Sequence, residues 1–140
     1  KSYTVMGDTV NTASRLKGAS KQYGVPILLS QATQQQVAST MATRELDLIQ
    51  VVGKAEPVRI YELLGPDTLA ETEQAAVAAF EQGLAAYRQR DWVTARQHFE
   101  ACLASKPGDR PALLYLDRLT TLEANPPSDN WDGVWQLTHK

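Results

Sequence analysis

The chain of 140 residues has one cysteine, two histidines and no apolar run near the roughly 20 residues that a membrane-spanning helix requires. The lone Cys102 excludes an internal disulfide and suits a reducing compartment. His98 and His139 are isolated from each other and from any cysteine cluster, so a metal site built from them is not expected. No signal-peptide pattern is present either, and this segment is expected to be cytoplasmic. An excess of one charge is lacking too: 14 basic against 16 acidic residues leave a net charge of −2, which argues against a nucleic-acid partner.

What is present begins with Tyr3-Thr4-Val5-Met6-Gly7-Asp8-Thr9-Val10-Asn11-Thr12-Ala13-Ser14-Arg15-Leu16. Tyr3 to Met6 reads as the end of a strand, Gly7-Asp8 as the turn, and Asp8 as a helix N-cap whose carboxylate accepts from backbone N–H groups. Asn11 and Arg15 then stand at i and i+4 and point the same way off the helix, while Val10, Ala13 and Leu16 keep another side apolar. Arg15 brings a permanently charged, forked donor suited to phosphate, and Asn11 brings both a donor and an acceptor. By itself, such a pair on a surface helix usually means only a solvated face.

The fourteen consecutive residues as a string resemble the signature of the class III nucleotide cyclases, the adenylate and guanylate cyclase family. The likeness continues downstream. The helix runs to about Tyr23 and stops at Gly24, and Val25-Pro26-Ile27-Leu28-Leu29-Ser30 reads as a buried strand. Ser30 caps a short helix to about Ala38. Leu46–Val52 and Pro57–Leu63 read as antiparallel strands around the turn Gly53-Lys54-Ala55-Glu56, a hairpin like the one that closes the family's catalytic domain.

The resemblance implies an α+β fold for residues 1–65: the C-terminal part of a ferredoxin-like catalytic domain with a mixed sheet and helices. It implies that Asn11 positions the ribose and that Arg15 stabilises charge on the α-phosphate while the 3′-hydroxyl attacks and pyrophosphate leaves. Thr4 falls where the family selects the base, and a threonine there resembles the adenylate type. Alone, Thr4 reads as an ordinary β-branched strand residue. The family's triphosphate-contacting lysine falls at Val52, with Lys54 two residues on as a turn lysine or partial substitute. Two Mg²⁺ or Mn²⁺ ions serve the family, on aspartates that would precede Lys1. Asp8 is better read as a cap, and Asp47 and Glu56 as exposed hairpin residues. The expectation is thus a fragment holding one half of a site completed in a homodimer, inactive alone, from a parent that makes cyclic AMP from ATP and carries sensor or membrane segments upstream. Val52 keeps open a second reading, a degenerate cyclase-like regulatory or protein-interaction module.

Gly65-Pro66-Asp67 marks a boundary. Residues 66–124 read as an all-α segment: a helix from Thr68 to about Arg88 with Val77, Phe80, Leu84 and Tyr87 on one face; a second opened by Asp91, with Trp92, Ala95, Phe99, Cys102 and Leu103 inward, and ended by Pro107-Gly108-Asp109; and a third from Pro111 to Ala124 through Leu113, Leu114, Leu116 and Leu119. Gly83, Ala95, Phe99 and Pro107 stand at spacings that resemble one tetratricopeptide repeat, which implies packing on the first part or on a protein partner. A plain helical hairpin without a ligand is the equal alternative. The tail, residues 125–140, is a Pro-led loop whose Trp131 and Trp135 are expected to dock back onto the helices.

Overall fold

The computed structural model describes residues 2–7 and 10–137, which fall into two compact units: Lys1–Leu69 with Val134–Lys140, and Ala70–Gly133. Among the described residues there are five strands and five helices, a mixed α/β architecture.

The first unit holds β1 (Thr4–Met6), α1 (Val10–Tyr23), β2 (Ile27–Ser30), α2 (Gln31–Val37), β3 (Met41–Gln50), β4 (Val58–Pro66) and β5 (Trp135–Gln136). The sheet order is β1-β2-β4-β3-β5, with β1/β2 and β3/β5 parallel and the central pairs antiparallel. α1 ends because Gly24 adopts φ 70 and, with Val25, donates its N–H to the Ser20 carbonyl, a left-handed stop that a side chain would strain. Ser30 caps α2 through Thr33, as the sequence indicates.

Alternation along the strands places Leu28, Ile60, Ile49 and Asp47 on one face, against which α1 lays Leu16, Ala19 and Tyr23, all at most 2% exposed. Each large apolar side chain so buried contributes about 1.5–3 kcal/mol. Asp47 corrects the sequence expectation. It is not an exposed hairpin residue but a buried one, and its carboxylate accepts a hydrogen bond from the Tyr23 hydroxyl. Arg44 and Glu62, directly opposed on β3 and β4, form a buried ion pair on the same face, with Arg44 Nε 3.1 Å from Glu62 Oε1. Glu56 is exposed, as expected.

Both hairpin strands differ from the sequence reading. β3 starts at Met41 rather than Leu46 and stops at Gln50, and β4 runs on to Pro66, because the polar stretch Ala42 to Glu45 pairs with Tyr61 to Gly65. A register shift between Glu45 and Asp47 lets Leu46 bury within an otherwise polar run. β5 was not anticipated. Trp135 docks beside Ile49 as an edge strand rather than onto a helix.

The second unit holds α3 (Glu71–Arg88), α4 (Trp92–Ser105) and α5 (Arg110–Ala124). Asp91 and Asp109 cap α4 and α5 through the amides of Thr94 and Ala112. The core is aromatic: Phe99 stacks on Tyr115 at 4.9 Å, Phe80 meets both edge-on, and Trp131 closes over Tyr87 and Trp92. Trp131 therefore docks on the helices as expected. On α5 the buried positions are Pro111, Ala112, Tyr115, Arg118 and Leu119, whereas Leu113 is 45% exposed and Leu114 and Leu116 are half-buried, so the inward stripe is shifted from the leucine pattern. Val77 and Leu103 are likewise half-buried.

Candidate functional site

The site is assembled from α1 and the β3–β4 turn. Arg15 lies one turn after position 11 on α1, half-buried, and its Nη1 donates to the Gly53 carbonyl at 3.0 Å. Gly53 is held at φ 86, and a Cβ there would stand 3.3 Å from Arg15 Nη1. A side chain at 53 would be strained at this φ and would crowd the guanidinium, so glycine suits the close approach of the turn. That bond uses one of the five N–H donors of the guanidinium fork.

Arg15, Lys54 and Arg59 line one cavity of about 170 Å³, together with Ser30, Gln31 and Val58. Arg59 is tied to Glu45 by an ion pair of 2.7 Å, so its charge is partly spent, while the Arg15 contact is to a carbonyl, which leaves its positive charge uncompensated by that bond. A second, wider hollow shares Arg15 and Lys54 and adds Gly53, Ala55 and Glu56. Pockets that enclose a whole drug-sized ligand run to about 300–1,000 Å³. The smaller cavity therefore fits part of a ligand, such as a phosphate group, and cannot enclose a nucleotide.

The structure brings Arg15 and Lys54 together and leaves Thr4 apart from them. Thr4 is exposed on β1, its amide bonded to the Pro26 carbonyl at 2.7 Å, and it is not among the residues lining this cavity. Asp8 and the side chain of Asn11 lie outside the described residues, as does His139. Val52 is 47% exposed at the start of the turn and carries no charge toward the site. Arg59 and the Gly53 carbonyl are site groups that the sequence pattern does not mark. The signal for Arg59 was its place two residues after Pro57 at the entrance of a strand whose turn already held a candidate lysine.

Among the described residues, no group of three or more His, Cys, Asp or Glu side chains could hold a metal ion. The acidic residues closest to the sheet are engaged: Asp47 with Tyr23, Glu62 with Arg44, and Glu45 with Arg59. The described donor set does not fit a divalent ion. No helix among the described residues is long and apolar enough to cross a membrane.

Comparison with known proteins finds relatives named as adenylate cyclases. The chain is 31% identical over 124 residues to the terminal-differentiation specific adenylate cyclase of Dictyostelium discoideum, covering 82% of this chain and 6% of that protein. It is 40% identical over 77 residues to adenylate cyclase 1 of Rhizobium meliloti, covering 55% of this chain and 12% of the relative. It is 40% identical over 63 residues to the adenylate cyclase of Anabaena cylindrica, covering 43% and 12%. The chain thus spans about a tenth or less of the length of these relatives, and it is related to adenylate cyclases. The Dictyostelium match covers more of the chain than the sheet unit contains, so that likeness reaches into residues 70–133. No family model matches the chain, and no solved structure matches it.

Proposed function

We propose that this chain is part of a class III adenylate cyclase whose parent converts ATP to 3′,5′-cyclic AMP and pyrophosphate, and that residues 1–65 supply the ribose and transition-state half of a site completed by a second catalytic domain in a homodimer. The observation that carries the reading is Arg15 held by the Gly53 turn on the wall of a cavity it shares with Lys54, in a chain related to adenylate cyclases. In the reaction the 3′-hydroxyl gives its proton to water, its oxygen bonds to the α-phosphorus, the bond from that phosphorus to the bridging oxygen breaks, and pyrophosphate leaves with the electron pair. Arg15, anchored through one N–H, offers others to the α-phosphate oxygens, where charge is greatest in the transition state. Asn11 orients the ribose, Lys54 meets the polyphosphate in place of the lysine replaced by Val52, and Thr4 contacts the base.

The described residues of this chain do not fit a metal, and no step here runs through one. The reading places two Mg²⁺ or Mn²⁺ ions on carboxylates outside this chain. Residues 66–124 contain a tetratricopeptide-like pair of helices, a likeness supported by the close passage of Gly83 against Phe99, and serve as a platform for a protein partner. The segment works in the cytoplasm, and a nucleic acid is not among its partners. The uncharged, exposed Val52 favours one rival, a regulatory module that binds a nucleotide without turning it over.

Arg15→Ala in the full-length protein tests the choice. Loss of a donor that acts on the transition state is expected to lower kcat by about 10² or more with little change in ATP affinity. Steady-state kinetics with separate ATP-binding measurements read both quantities, and an unaltered kcat would hand the case to the regulatory module.

A further inference from the structure

The last described residues return to the sheet, after 64 residues of a separate helical unit, at one particular place: the end of β3 that leads into the Gly53 turn. β5 is only two residues long, yet it is followed by a bond from the Leu137 amide to the Gln50 carbonyl at 2.9 Å, and Leu137 is 3% exposed. Gln50 then works in the opposite direction along the chain. Its side-chain Nε2 donates to the Lys54 carbonyl at 2.5 Å, while the Lys54 amide donates to the Val51 carbonyl at 3.1 Å. The turn so closed presents the Gly53 carbonyl to Arg15. Leu137, Gln50, Lys54, Gly53 and Arg15 are thus connected within the sheet unit by three hydrogen bonds and the Gly53–Lys54 peptide link.

We infer that β5 with Leu137 is a clasp on the β3 edge, and that Gln50 is a positioning residue which transmits the clasp to the Gly53-Lys54 turn and so sets where the Arg15 guanidinium stands. What Arg15 is positioned for rests on the nucleotide reading above. The physical basis is the shortage of other restraints on the turn. Residues 52–57 are exposed, and their described backbone bonds are few, so the Gln50 side chain and the strand that holds Gln50 in register carry much of its order. Gly53, at φ 86, has wide backbone freedom when released, and Arg15 bonds to that residue's carbonyl rather than to a fixed strand. A two-residue ladder on an edge is also a weak attachment, which gives the clasp a low threshold for release.

The test uses the whole chain with two substitutions. Gln50→Met keeps the length and apolar stem and removes the donor; Leu137→Pro removes the amide that bonds Gln50. Hydrogen exchange at the Lys54 amide and the position of the Arg15 Nε–Hε resonance are recorded by NMR without nucleotide, with α4 amides as the folding reference. Loss of one such bond is expected to speed Lys54 exchange about fivefold or more and to move the Arg15 signal in both variants. Affinity for inorganic pyrophosphate, the probe for the cavity, is expected to fall severalfold alongside. Should Leu137→Pro fail to fold, Gln50→Met alone decides. Wild-type exchange and an unmoved Arg15 signal in a folded Gln50→Met chain overturn the clasp. A wild type that ignores pyrophosphate while the variants alter exchange and move the Arg15 signal upholds the clasp and overturns the nucleotide reading instead.

Discussion

Thr4 and Glu62 show how differently two polar residues of one sheet are used. Thr4 is exposed on the edge strand β1 beside the 43%-exposed Met6, so removing its hydroxyl leaves no buried partner unmet and should change stability by no more than about 0.5 kcal/mol. That makes Thr4→Val a clean probe of base choice. If the hydroxyl contacts adenine in the full-length enzyme, ATP use weakens by roughly 1–3 kcal/mol while GTP suffers less. Competition between the two nucleotides measures it, and an unchanged ATP/GTP preference would reduce Thr4 to a strand residue. Glu62 has no such latitude. Its partner Arg44 is 1% exposed, and Glu62→Ala takes a carboxylate away from that buried cation, at a cost of about 3–5 kcal/mol. Urea unfolding should show the loss as a lower midpoint; a change below about 1 kcal/mol would mean that water or another carboxylate reaches Arg44 readily.

At the scale of elements, the pairing of α3 with α4 turns on Gly83. A Cβ there would lie 2.8 Å from the Phe99 ring, which stacks on Tyr115 and makes a T-shaped contact with Phe80. Two effects oppose each other in Gly83→Ala. Helix propensity favours alanine by about 1 kcal/mol. Overpacking a buried ring that already packs against two others costs about 1–3 kcal/mol, so the net change is expected to be destabilising. In a unit of this size each 1 kcal/mol moves Tm by about 4–8 °C, which thermal unfolding resolves. A rise in Tm would show that Phe99 swings aside freely and that the aromatic stack is looser than its geometry suggests. The caps act in the same unit: Asp109, 4% exposed, accepts from Ala112 and also from the Cys102 thiol, so one carboxylate both caps α5 and bonds a side chain of α4.

For the whole molecule, the decisive property is an uneven distribution of chemistry. The described part of the sheet unit gathers cations at the cavity and ties Glu45, Asp47 and Glu62 into ion pairs or hydrogen bonds. The purified 140-residue chain is therefore expected to form no cyclic AMP from ATP with Mn²⁺, because nothing described in it organises the triphosphate metal. Measurable product above a no-protein control would overturn the half-site reading. Mixing the chain with a catalytic domain that keeps its metal carboxylates but carries Arg15→Ala should restore turnover if the two halves meet across a dimer.

Local sequence determined the parts whose cause is local. The end of α1 at Gly24, the Ser30 and Asp91 caps, and the position of Arg15 one turn after Asn11 follow from residue type and spacing, since each needs only neighbours within a few residues. The helices of residues 70–133 were legible for the same reason, their apolar residues recurring at the helical period. Tertiary structure alone decided the rest. Asp47 reads as exposed until Tyr23, 24 residues away, supplies the hydroxyl that makes its burial tolerable. Arg44 and Glu62 disguise a strand as a polar loop because each hides the other's charge across the ladder. Leu113 is left outside because the inward stripe of α5 runs through Ala112, Tyr115 and Leu119, with Tyr115 stacked on Phe99, and spacing alone does not say which of two adjacent stripes meets the partner helices. β5 carries too few residues for any pattern, and only the open edge of β3 makes it a strand. The Arg15 contact to Gly53 spans 38 residues and uses a carbonyl that every residue possesses, so no residue type could have announced it.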